Sequence, residues 1–150
     1  MNVTIDLQNH SGSREVPLKR QFKHWAIAAL AEVAPERRTN RLSIRLVDES
    51  ESAQLNGDYR HKQGSTNILS FPVPPEMDSL PDLGDLAICT QVVLREAQDQ
   101  SKNSDAHWAH LTVHGVLHLR GYDHEVEDEA RVMEALETRI LQQLGYPDPY

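Results

Sequence analysis

The stretch His114-Gly-Val-Leu-His118-Leu-Arg-Gly121-Tyr-Asp-His124 constrains this chain more than any other part of it. A helix turns about 100° per residue, so His114 and His118 stand on one face, one turn apart. Gly121 can take the left-handed conformation that ends a helix and turns the chain back. His124 then approaches the other two from outside the helix. Three neutral imidazoles with an open fourth position form the plan of a catalytic zinc site rather than a closed structural one.

The spacing matches the metzincin peptidase pattern H-E-x-x-H-x-x-G-x-x-H with one departure. Gly115 stands where those enzymes carry the glutamate that serves as general base. The chain thus has the metal cage without the peptidase base. The competing reading is a solvated helix end that happens to be rich in histidine. The third histidine, set behind a glycine at zincin spacing, weighs against it. An all-imidazole site favours a single Zn²⁺ per chain, although nickel, cobalt or copper could bind in vitro. Water in the fourth position would have its pKa lowered towards about 7.

The sequence has 150 residues, enough for one domain with a proper core. Cys89 is the only cysteine, which rules out an intramolecular disulfide framework and fits a reducing compartment. The N-terminus lacks the pattern of a signal peptide. The longest apolar run, Trp25 to Ala31, is too short to cross a bilayer. The expectation is a cytoplasmic protein without a membrane segment. Net charge is −8, unevenly spread: residues 1–62 hold 10 Lys/Arg against 8 Asp/Glu, and residues 63–150 hold 5 against 15. An acidic chain is a poor general nucleic-acid binder. A polyanion could still dock on a local basic surface drawn from the first half, which includes Arg37, Arg41, Arg45, Arg60 and Lys62.

Hydrophobic periodicity predicts strands over Val3–Leu7, Leu42–Val47, Asn67–Val73 and Gly84–Cys89. It predicts helices from Pro17, in the first turn, to Val33; from Glu51 to Tyr59, capped by Asp48 or Ser50; from a Thr90 cap to Gln100; from Ser104 or Asp105 to Arg120; and from Val126 to Leu144. The last helix carries Met133, Leu136, Ile140 and Leu144 as its core stripe, first-turn acids at Glu127, Asp128 and Glu129, and Gly145 just past its end. Arg60 to Thr66 reads as a polar loop, and Pro72, Pro74, Pro75 and Pro81 mark a surface loop. The expected fold is α+β: a single domain over residues 1–150, with a small mixed sheet of about four strands packed by about five helices, one of them a zincin-like histidine helix.

The block HLTVHGVLHLRGYDH, preceded in order by LNGDYR, TNILSFP and GDLAIC and followed by the E-A-x-x-M-E-x-x-E pattern from Glu129 to Glu137, resembles the signature of the YbeY family, bacterial rRNA maturation factors and endoribonucleases. The resemblance runs from about Leu42 to Leu141. Gln63 and Ser65 depart from it, standing where members commonly carry an aspartate and a proline. The resemblance implies a zinc-dependent, single-strand-specific endoribonuclease acting on rRNA. It further implies a part in small-subunit 3′-end maturation and ribosome quality control, with the small subunit or its assembly proteins as partners. It carries the metal ligands onto His114, His118 and His124, and a functional arginine onto Arg60.

Residue chemistry supports that assignment. A guanidinium matches two phosphate oxygens and stabilises charge growing on them, as Arg60 would do here. No general base is assigned; Asp123, Glu125 and Asp85 are candidates by type alone. Asp123, directly before a ligand, suits the task of orienting an imidazole. His110, one turn before His114, could support a ligand, contact substrate or be a satisfied helix-surface histidine, and His107 is read as a satisfied helix residue. Thr66, Asn67 and Ser70 could place polar groups beside a substrate. Cys89, Trp25 and Trp108 are read as packing residues. Two other functions compete: a zincin-like metallopeptidase, and a non-catalytic ribosome-assembly factor whose metal holds the fold together. Oligomeric state is not legible in the chain.

Overall fold

A computed structural model describes residues 1–150. The chain runs β1 (Asn2–Asn9), α1 (Lys19–Val33), β2 (Thr39–Val47), α2 (Glu49–Arg60), β3 (Ile68–Pro72), a 3₁₀ turn (Pro75–Met77), β4 (Asp82–Cys89), α3 (Thr90–Asp99), α4 (Ser104–Leu119) and α5 (Glu127–Gln143). Four strands form one mixed sheet in the order β1-β2-β4-β3. β1, β2 and β4 are parallel, and β3 pairs antiparallel with β4 at the edge. The architecture is the expected α+β arrangement of four strands and five helices.

Alternation decides which face of the sheet is covered. Val3 and Ile5 on β1, Leu42, Ile44 and Leu46 on β2, and Leu86 and Ile88 on β4 all enter one core beneath α1 and α4. Phe22 on α1 stands edge-on to both Trp25 and Trp108, with ring centroids 5.6 and 5.9 Å apart, so the two tryptophans are packing residues. Cys89 is buried beside Val47 and Val92, and burial pushes its thiol pKa up. It too is a packing residue.

Local chemistry corrects several element ends. Pro17 precedes α1 instead of sitting in its first turn; Leu18 is the cap, and the Gln21 side chain accepts the Leu18 amide. Asp48, not Ser50, caps α2 by accepting the Glu51 amide at 2.8 Å. Thr90 lies inside α3, with its hydroxyl buried and unpartnered, and gives no cap. Asn103, rather than Ser104 or Asp105, caps α4, accepting from the amides of both Asp105 and Ala106. The proline-rich loop carries one 3₁₀ turn. It is tied down by Arg37, which donates to the carbonyls of Asp78 and Leu80, and by Arg120, which donates to the Asp78 carboxylate. The hydrogen bond and charge of Arg120 hold the Asp78 carboxyl below its usual range. No helix is long and apolar enough to cross a membrane.

Candidate metal centre

The histidine helix ends as its glycine predicts. Gly121 sits at φ +94°, its amide bonds to the His118 carbonyl, and the Tyr122 amide bonds to the Leu117 carbonyl. This paired closure satisfies the orphan carbonyls of the last turn and reverses the chain. His124 is thereby carried back over α4. The ligand-capable atoms of His114, His118 and His124 lie within 4.8 Å of one another, and no fourth His, Cys, Asp or Glu joins them. Zinc bonded to three imidazoles at about 2.1 Å needs the nitrogens roughly 3.4 Å apart. The three atoms are gathered within 4.8 Å, and three imidazoles are a donor set that zinc takes, so the residues present fit the ion.

Burial prepares one of these rings for a metal. His118 has its pKa lowered to about 4, first by loss of hydration and then by the charges of His114 and His124. It is a neutral imidazole at pH 7, the form that binds metal.

Behind the trio lies a residue the sequence reading did not single out. Glu137 on α5 is 1% exposed. One carboxylate oxygen accepts from His114 Nδ1 at 3.1 Å; the other accepts from His110 Nε2 at 2.5 Å and from the Tyr150 hydroxyl at 2.9 Å. Burial alone would raise its pKa, but the hydrogen bonds and charges of His110 and His114 outweigh that and hold it down at about 2. The same carboxylate, together with burial, pushes the Tyr150 hydroxyl well above its usual range. The signal was present in the chain: Glu137 lies four residues after Met133, on the core side of an amphipathic helix. The buried stripe of α5 is Met133, Glu137, Ile140 and Leu141, with Leu136 and Leu144 only partly buried at its margin.

The imidazoles open into a cleft of about 360 Å³ between α4, the edge strand β3 and the end of α2. Arg60 and Lys62 line it, as do Thr66, Asn67 and Ser70, and no acidic residue does. Arg60 is the last residue of α2 and not part of the loop; His61, in the left-handed conformation at φ 54°, ends that helix. The next turn is held to α2 from beneath. Ser52 Oγ donates to the Thr66 carbonyl and accepts its amide, both at 2.9 Å, and Asn56 donates to the Gly64 carbonyl. Arg60 and Lys62 therefore stand at the rim free of ion pairs, whereas Arg41 and Arg45 are paired with Asp82 and Glu51.

The remaining candidates fall elsewhere. Asp123 accepts the His124 backbone amide at 2.7 Å and bonds no imidazole, so it shapes the turn; Glu137 is the carboxylate that meets a ring of the trio. Asp85 precedes the core residue Leu86 on β4, so strand alternation points it to the opposite face of the sheet, into a separate cavity with Asp6, Ser43 and Tyr59. Glu125 is exposed and does not line the histidine cleft. His107 is buried and only half satisfied: Nε2 bonds Glu96 at 3.0 Å, Nδ1 is buried without a partner, and burial lowers its pKa. Gly115 faces the sheet. A Cβ there would come within 2.8 Å of both Ile68 and Leu86, so this position cannot present a base to the cleft.

The sequence model of the family "Endoribonuclease YbeY" matches residues 6–145. The chain belongs to the YbeY family. A YbeY endoribonuclease of Nitrosococcus oceani is 53% identical over 153 residues, covering 100% of this chain and 98% of that protein. One of Pseudomonas fluorescens is 51% identical over 150 residues, covering 99% and 96%. The solution structure of TM1509 from Thermotoga maritima has the same fold, with a TM-score of 0.59 at 19% identity over 93% of this chain and 91% of that one. Membership of YbeY makes the chain an endoribonuclease-family hydrolase, and the histidine trio is compatible with binding a metal ion.

Proposed function

We propose that this YbeY protein is a zinc-dependent endoribonuclease that cuts single-stranded rRNA during 3′-end maturation of the small subunit and in ribosome quality control. It would work in the cytoplasm, with the small subunit or its assembly proteins presenting the RNA. One observation carries the reading at the site: a protein of net charge −8 lines its histidine cleft with Arg60 and Lys62 and with no acid. Such a cleft attracts phosphate where most of the surface repels it.

His114, His118 and His124 would hold one zinc ion. When bound, zinc supplies a Lewis acid for the phosphoryl oxygen and a water activated for attack at neutral pH. Arg60 would clamp the scissile phosphate through two donors and stabilise the charge that grows there. Thr66, Asn67 and Ser70 would orient the strand through sugar and base edges. Neither Asp123 nor Asp85 lines the cleft, so neither is given the part of general base.

Zinc content and RNA cleavage measured together test this. His118→Ala should lose both bound zinc and activity. Arg60→Lys should keep zinc and lose about 10²-fold in cleavage rate, the scale of losing one preorganised donor set. Full zinc occupancy in His118→Ala, or parental cleavage by Arg60→Lys, would overturn the roles given. Each variant is purified alongside the parent so that contaminating nucleases cancel. An unstructured peptide in parallel tests for peptidase action, which the buried position of Gly115 argues against.

A further inference from the structure

Glu137 is the only carboxylate the fold buries, and it lies in the middle of an apolar helix stripe. Such a group is strongly destabilising unless it is paired and hydrogen-bonded. Here every donor comes from a group near the metal centre: His114 Nδ1 on one oxygen, His110 Nε2 and the Tyr150 hydroxyl on the other. A neutral imidazole carries a single proton. The proton of His114 must lie on Nδ1, because the opposite tautomer would set two acceptors 3.1 Å apart. Nε2 is then the bare nitrogen, the one available to a cation.

Resting on the reading of the histidine trio as a zinc site, we propose that Glu137 is the positioning residue of that site. It fixes His114 in the Nδ1–H tautomer, holds the plane of the ring, and through its charge makes Nε2 a stronger donor to the metal. His110 belongs to this device and not to the ligand set. Its Nε2 is committed to Glu137, and its Nδ1 is buried without a partner. Together with Tyr150 it occupies the second oxygen and keeps the carboxylate from turning away from His114. The histidine helix and α5 are thus joined by one acid whose task is to prepare a ligand.

The test compares the parent with Glu137→Gln and Glu137→Leu, using zinc as the probe. Zinc affinity is measured by competition with a chromophoric chelator, and the His114 tautomer is read from long-range ¹H–¹⁵N spectra of the metal-free proteins. A glutamine oxygen can still accept from Nδ1 but lacks the charge. Glu137→Gln should therefore bind zinc about tenfold more weakly with the tautomer kept, and Glu137→Leu about 100-fold more weakly with the tautomer lost. A purely structural role would lower thermal stability without moving the tautomer or this graded order. Two folded variants within about twofold of the parent in zinc affinity would overturn the proposal, while zinc binding by the parent would leave the site itself standing. A parent that takes up no zinc at the trio sinks both. Should Glu137→Leu fail to fold, the parent decides alone. Its metal-free spectrum must show Nδ1–H on His114, and its cadmium-113 form must couple to Nε2; the reverse assignment overturns the proposal.

Discussion

Two groups at the metal centre give the metal-free protein a defined response to acid. His118 has its pKa lowered from 6.5 to about 4, first by burial and then by its neighbouring imidazoles. In the interval between, the unfolded chain takes up a proton that the folded chain refuses, so stability is lost as pH falls through that window. Glu137 has its pKa lowered from 4.5 to about 2: burial opposes the ionised form, and the two imidazoles outweigh it. Its contribution is complete above 4.5 and is lost as pH falls towards 2. The melting temperature of metal-free protein should therefore hold steady above about pH 7 and decline in two limbs below it. Glu137→Gln should remove the lower limb. A parental melting temperature unchanged from pH 7 to about pH 3 would contradict this account.

At the scale of elements, the cleft depends on how α2 holds the segment after it. Ser52 faces the core side of α2 and uses one hydroxyl for both the amide and the carbonyl of Thr66. Ser52→Ala would leave two backbone groups without that partner and should cost about 1–3 kcal/mol. Hydrogen exchange should rise between residues 61 and 66, and KM for RNA should increase while zinc affinity is unchanged, because the trio is carried by α4 and its closing turn. Exchange confined to other segments would show that the cleft wall is held some other way. The α4 closure is more local. It needs only Gly121 and the last helical carbonyls, which is why the return of His124 was predictable from spacing.

At the scale of the molecule, the histidine trio stands at the edge of a core that is complete without it. The main core cluster joins 25 buried residues, from the sheet, α1 and its C-cap, α3, α4 and α5, and includes none of the three histidines. Chelation should therefore abolish RNA cleavage yet leave far-UV circular dichroism native, with one cooperative melt. Unfolding on chelation would instead favour a metal that holds the fold together. The chain by itself determined the element order, the helix that stacks His114 over His118, the turn that returns His124 and the lack of a base at position 115. All of these follow from local periodicity and backbone conformation, which neighbouring residues fix. Only the tertiary structure decided that Glu137 meets His114 from 23 residues away, that Asp85 faces the other side of the sheet, and that Arg60 and Lys62 alone bring charge to the rim of the cleft. A side chain's type and its place on a helix or strand are written locally, but the partner it meets depends on how the helices settle across the sheet, and that is set by packing of the whole core.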